Sequence, residues 1–162
     1  MKTLIWAFKV FVRPILEYAS PVWSPHHLCD IDLVESVQRR FTKSIGALFS
    51  LSYHERRRMS GLDSLELRRL RADLYLTHSL LHRRVDFEFC NFFELQTGNR
   101  TRGHSLKLVV GNFRTDCRKF FFTNRVIKVW NALPDDVVRT SSLCAFKRKL
   151  SEFNLQPFLY RF

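Results

Sequence analysis

SLELRRLRADLYLTHSLLHRR, residues 64–84, is the stretch on which the fold turns. Leu67, Leu70, Leu74 and Leu81, continued by Val85, recur on one side of a helix, with Leu65, Ala72, Leu76 and Leu80 roughly opposite. A surface helix needs a single apolar stripe, whereas one that is apolar on two sides is covered by neighbours on both. The spacing therefore predicts a central two-sided helix in a mainly helical domain.

Upstream, Leu4 to Tyr18 has roughly helical spacing, and Pro14 is expected to bend or divide it. Ser20 to Pro25 is a connector carrying Trp23. Asp30 is placed to cap a second helix whose apolar side runs Leu33, Val34, Val37, Phe41, Ile45 and Leu48, with Arg39, Arg40 and Lys43 projecting away. Ser52 followed by Glu55 is a capping-box pattern, opening a short helix that Gly61 stops. The run Arg56-Arg57-Arg58 on that helix reads as a solvated face.

Downstream, residues 104–110 alternate enough for a short strand or extended arm. A helix is expected from Thr115 or Asp116 to Ala132, closed by Leu133-Pro134, with Phe122, Val126, Val129, Trp130 and Leu133 as its core stripe. Arg118, Arg125 and Lys128 share an adjacent stripe with Phe121. A last helix from about Ser142 buries Leu143, Phe146, Leu150 and Phe153. The expectation is one helical domain over 1–162, with helices to about 85, then a basic arm and C-terminal helices, and at most one short hairpin.

The 162 residues are 46% apolar and 14% aromatic, enough for a core, and 27 Lys+Arg against 15 Asp+Glu give a net charge of +12. The excess is uneven: residues 1–81 carry 12 basic and 8 acidic groups, residues 82–162 carry 15 and 7. Between Arg100 and Lys128 eight cations face one acid, Asp116, with Phe113, Phe120, Phe121 and Phe122 interleaved. Cations neutralise phosphates while flat apolar groups meet sugars or bases, so nucleic acid is the polyanion expected. A membrane surface would want one strongly amphipathic basic helix, and no apolar run reaches the ~18 residues of a span.

Cys29, Cys90, Cys117 and Cys144 stand apart with no Cys-x-x-Cys pair, which suggests reduced, partly buried thiols. Lys9 and Arg13-Pro14 interrupt the pattern of a signal peptide, and an intracellular protein, cytoplasmic or nuclear, is expected. Asp135-Asp136 is the one adjacent carboxylate pair, but it follows Leu-Pro where acids complement a helix start. His26-His27 with Cys29 lacks the second ligand pair of a zinc site. His104 reads equally as a phosphate contact and as a loop residue. Trp6, Trp23 and Trp130 read as packing residues. Neither a Gly-rich phosphate loop nor a Ser/His/Asp set is present, so no catalytic residue, metal, cofactor or small-molecule substrate is assigned.

Several words then occur in a telling order. They are RPILEYASPVWSP (residues 13–25), VQRRFTK (37–43), LSYHER (51–56), GLDSLELRRLRADL (61–74), FFEL (92–95), TRGHSLKL (101–108), RTDCRKFFFTNRVIKVWNALP (114–134) and FKRKL (146–150). Together they resemble the C-terminal part of the reverse transcriptases of non-LTR, LINE-like (jockey/CR1-type) retrotransposons. The resemblance implies a thumb-region fragment of an RNA-directed DNA polymerase. The palm motif that holds the divalent metals would lie upstream of Met1, so the fragment is expected to be inactive alone. Implied partners are template–primer nucleic acid, as RNA–DNA hybrid or DNA duplex, and the absent palm.

The residues expected to contact phosphate are Arg102, Lys107, Arg114, Arg118, Arg125 and Lys128, with Arg39, Arg40 and Lys43 secondary. Two other readings are a protein–protein docking module and a relic of a mobile element without a role.

Overall fold

Pro14 has no amide proton to donate, and the backbone around it shows the consequence. Helix α1 (Lys2–Ala7) widens into a π-turn over Phe8–Val12 before α2 (Arg13–Glu17) resumes. The Arg13 N–H reaches back five residues to Phe8 O, which makes room for the proline ring. The expected division at Pro14 is thus a change of helical pitch. It turns Trp6 and Phe11 toward each other, edge to face with ring centroids 6.3 Å apart.

The computed structural model describes residues 1–97 and 103–161. Further helices are α3 (Ser20–Trp23), α4 (Leu28–Ser44), α5 (Tyr53–Ser60), α6 (Leu65–Leu81), α7 (Asp116–Lys119), α8 (Phe122–Ala132), α9 (Asp135–Val138) and α10 (Leu143–Glu152). Among the described residues the fold is all-helical with no strand; the only β feature is an isolated antiparallel bridge between Leu95 and Leu108. The chain forms two compact units. Met1–Arg69 with Leu159–Phe162 make the N-terminal unit, and Leu70–Phe158 make the C-terminal unit. Residues of α6 belong to both, and both of its apolar sides are used: Leu65, Leu67, Leu74 and Leu80 are all buried.

In the N-terminal unit Ile5, Phe8, Ile45, Leu48 and Leu62 form a core against Leu16, Phe41 and Leu51, with Phe8 and Phe41 stacked at 4.3 Å. The expected capping box at Ser52 is present, and Gly61 ends α5 in the left-handed region at φ 60°. One expectation for α4 fails and another holds only in part. His27, not Asp30, occupies the cap, and no side chain caps the helix. Phe41, Ile45 and Leu48 of the expected apolar side do meet the core, but the buried positions of α4 itself are Ile31, Glu35, Gln38 and Thr42, while Leu33 is 67% exposed and Val37 also faces out.

A polar network explains the difference. The Glu35 carboxylate accepts from the Leu65 N–H at 2.8 Å and from the Tyr53 hydroxyl, and the Gln38 amide donates to Asp63 O at 2.9 Å and to Tyr53 at 3.1 Å. Buried polar groups must be paired, and this set pairs α4 with α5 and the start of α6. Arg56 joins the interior by donating to Leu51 O at 2.6 Å and Thr42 Oγ1 at 3.2 Å, so the Arg56–Arg58 run is solvated only in part. Glu66 accepts from the backbone of Tyr160 and Arg161, which ties the C-terminal residues to this unit.

The C-terminal unit follows its sequence pattern closely. Phe122, Val126, Val129, Trp130 and Leu133 are buried as α8's stripe predicts, and Phe146 and Leu150 of α10 join them. The expected single helix over 116–132 is broken instead at Phe120-Phe121, giving α7 and α8. Residues 104–108 form the extended arm. Asn131 clamps the arm by donating to Leu108 O at 2.9 Å and accepting from Leu108 N at 2.8 Å, and the Trp130 indole donates to Leu106 O at 2.9 Å.

Candidate nucleic-acid interface

A phosphate-binding surface needs exposed cations that the protein has not already neutralised. Along 114–128 the structure sorts the expected contacts by that criterion. Arg114 and Arg118 are exposed around the short helix α7, and Lys128 is exposed on α8; none of the three makes an ion pair among the described residues. The Asn124 side-chain amide donates to Arg118 O, which folds α7 back onto the start of α8. Phe121, at the break between α7 and α8, is exposed as well.

Arg125, one turn from Lys128, has a different role. Its Nε lies 2.7 Å from Asp73 Oδ2 and its Nη2 2.9 Å from Asp73 Oδ1, and it also donates to Phe120 O. With side chains 16% and 3% exposed, this is a bidentate, mostly buried pair that pins α8 to α6. Lys107 is half-buried within the arm. Arg102 lies outside the described residues.

His104 resolves toward structure. It is buried, donates through Nε2 to Trp130 O at 3.0 Å, and burial holds its pKa below the usual imidazole value. A neutral ring committed to a carbonyl is no phosphate ligand.

In the N-terminal unit, Arg40 and Lys43 are exposed near the end of α4 and line an open depression with Ser44, Gly46 and Phe49. The Lys43 ammonium sits 5.5 Å from the Phe49 ring centroid. Phe49 is exposed, a flat group beside two cations that periodicity gave no reason to single out. Arg39 instead pairs with Asp32 at 3.5 Å and lies over the Tyr53 ring.

The carboxylates of Asp135 and Asp136 face cations: Arg139 lies 2.7 Å from the first and Lys149 3.4 Å from the second. Among the described residues no group of three or more His, Cys, Asp or Glu is arranged to hold a metal ion. All four cysteines are free and exposed, where partial burial was expected. No described helix is long and apolar enough to cross a membrane. No protein-family model, curated protein or solved structure matches this chain.

Proposed function

We propose that this chain binds nucleic-acid duplex without sequence preference, as a thumb-region piece of a non-LTR retrotransposon reverse transcriptase, and that it performs no chemistry alone. The observation that carries the reading is the exposed set Arg114, Arg118 and Lys128, cations left unpaired in a segment where Arg125 is committed to Asp73. Arg40 and Lys43 supply a second set in the N-terminal unit. A duplex that must slide past is best held by phosphate and sugar contacts, which carry no sequence information. The ordered words shared with the reverse transcriptases point to RNA–DNA hybrid or DNA duplex as the partner.

The test is duplex binding by anisotropy across a salt series. Affinity should fall steeply with salt, and replacing Arg114, Arg118 and Lys128 together by Ala should flatten the log–log slope by roughly 2–3. Replacing Arg125 should change folding, not the slope. Binding that does not vary with salt would refute the reading.

A second reading, docking against the palm implied by the same resemblance, is favoured by one observation. Phe11, Ile15 and Tyr18, along the π-turn and α2, all face outward. Self-association or dye binding that persists in high salt would support it.

A further inference from the structure

We infer that the groove between α1 and the end of α5 holds an unpaired nucleotide, so that the chain binds single-stranded as well as duplex nucleic acid. This rests on the reading that the partner is nucleic acid, and adds a strand type and a site. The groove, of about 490 Å³, is lined by Lys2, Trp6, Lys9, Arg58 and Met59 among others. Pockets for small ligands span ~300–1,000 Å³, so the space suits one nucleotide with its phosphate.

Three cations converge there from α1, the π-turn and α5, and no acid is among the lining residues. None of Lys2, Lys9 and Arg58 makes an ion pair among the described residues. Glu55, one turn before Arg58, has its carboxylate engaged by the Ser52 N–H and hydroxyl. Arg58 shares part of its field with Glu55, while Lys2 and Lys9 leave their charge available to a ligand.

Trp6 supplies the second component. The sequence suggests a packing residue, yet the ring is 60% exposed. Phe11 of the π-turn meets the indole edge to face, with centroids 6.3 Å apart and an interplanar angle of 89°. Cations that follow the backbone, joined to an aromatic face on which a base stacks, are the recurring means of holding single strands. In a duplex the bases are stacked on one another and present no free face, so Trp6 is of use only to an unpaired base.

The test uses the full chain and three probes of equal phosphate count at one salt concentration: a 12-nucleotide oligothymidine, an abasic strand of the same length, and a duplex. The base-bearing strand should bind about tenfold more tightly than the abasic strand. Trp6→Ala should erase that difference and leave duplex affinity unchanged. Trp6→Phe should retain part of it, and Phe49→Ala should leave it intact.

Equal binding of the two single strands by the native chain would overturn the inference while leaving duplex binding untouched. So would a Trp6→Ala variant that keeps the difference, or one whose only change is weaker self-association. Loss of all three affinities in the native chain would remove the parent reading, and this one with it. Trp6 is exposed enough that its variants should fold, which circular dichroism checks.

Discussion

The two units of this chain both bury polar groups beside an apolar core, but they leave very different amounts of apolar surface outside. The C-terminal unit puts Phe, Val and Trp inside, with Trp130, Val126 and Phe146 wholly buried, and leaves few large apolar groups outside. The N-terminal unit buries Glu35, Gln38, Thr42, Arg56 and Arg69, and turns Trp6, Phe11, Ile15, Tyr18 and Leu33 to solvent. The same kind of helix, with the same apolar periodicity, is therefore read correctly in one unit and only in part in the other, where Phe41, Ile45 and Leu48 go inward but Leu33 and Val37 do not. Hydrophobic burial drives a face inward only when nothing more specific claims that space. In α4 a network of buried hydrogen bonds claims it, and breaking such a network costs more than exposing a leucine.

The sharpest way to break this contrast is to treat two tryptophans alike. Trp130→Ala removes a buried ring and its bond to Leu106 O, and should cost about 3–5 kcal/mol in chemical denaturation. Trp6→Ala should cost almost nothing. Equal costs would mean that the units are not built differently.

Asp73→Ala should come next, at about 3 kcal/mol, because it strands the guanidinium of Arg125 in a mostly buried place. Arg125→Met in the same chain should restore part of that loss, which a thermal melt can read.

Acid should act with opposite sign on the histidines of the C-terminal unit and on Glu35. His78, His82 and His104 are each held below the usual 6.5, first by burial, so the unfolded chain takes up their protons more readily than the folded one. Their contribution is complete above about pH 6.5 and is lost as the pH falls below that value. Glu35 is held above the usual 4.5, again first by burial, so the folded chain holds that proton to higher pH than the unfolded chain does. Stability at that residue is greatest at low pH and declines as pH rises through the raised value. Hydrogen exchange corrected for intrinsic rates should show α8 losing protection before α4 on acidification, and the reverse order would refute the assignment.

Two smaller effects sharpen the picture. Gly61→Ala meets no neighbour but must hold φ 60°, and should cost about 1 kcal/mol in a melt. Leu33→Ser lies on the exposed side of α4 and should shift stability by less than ~0.5 kcal/mol. A large loss there would restore the simple amphipathic reading of α4.

The helical class, the central helix, the division at Pro14, the capping box at Ser52, the stop at Gly61 and the core stripes of α8 and α10 were all legible in the chain. Each depends on residues close in sequence, where spacing and backbone chemistry suffice. Among the expected phosphate contacts, spacing placed Arg118, Arg125 and Lys128 on one stripe but could not distinguish them. Asp73, which commits Arg125, lies 52 residues away. The partner of Glu35 is equally remote, at Leu65. Phe49 and Trp6 carried no signal of their exposure, since an isolated aromatic reads as core until the surroundings are known.

The amino-acid order by itself determined where this chain coils, where each helix stops and how much positive charge it carries, because those follow from neighbours within a turn or two. Folding alone decided which cations stay unpaired, which carboxylate goes inside and which aromatic rings meet water. Those outcomes depend on groups brought together from distant positions, and the Coulomb and hydrogen-bond terms that settle them act through space.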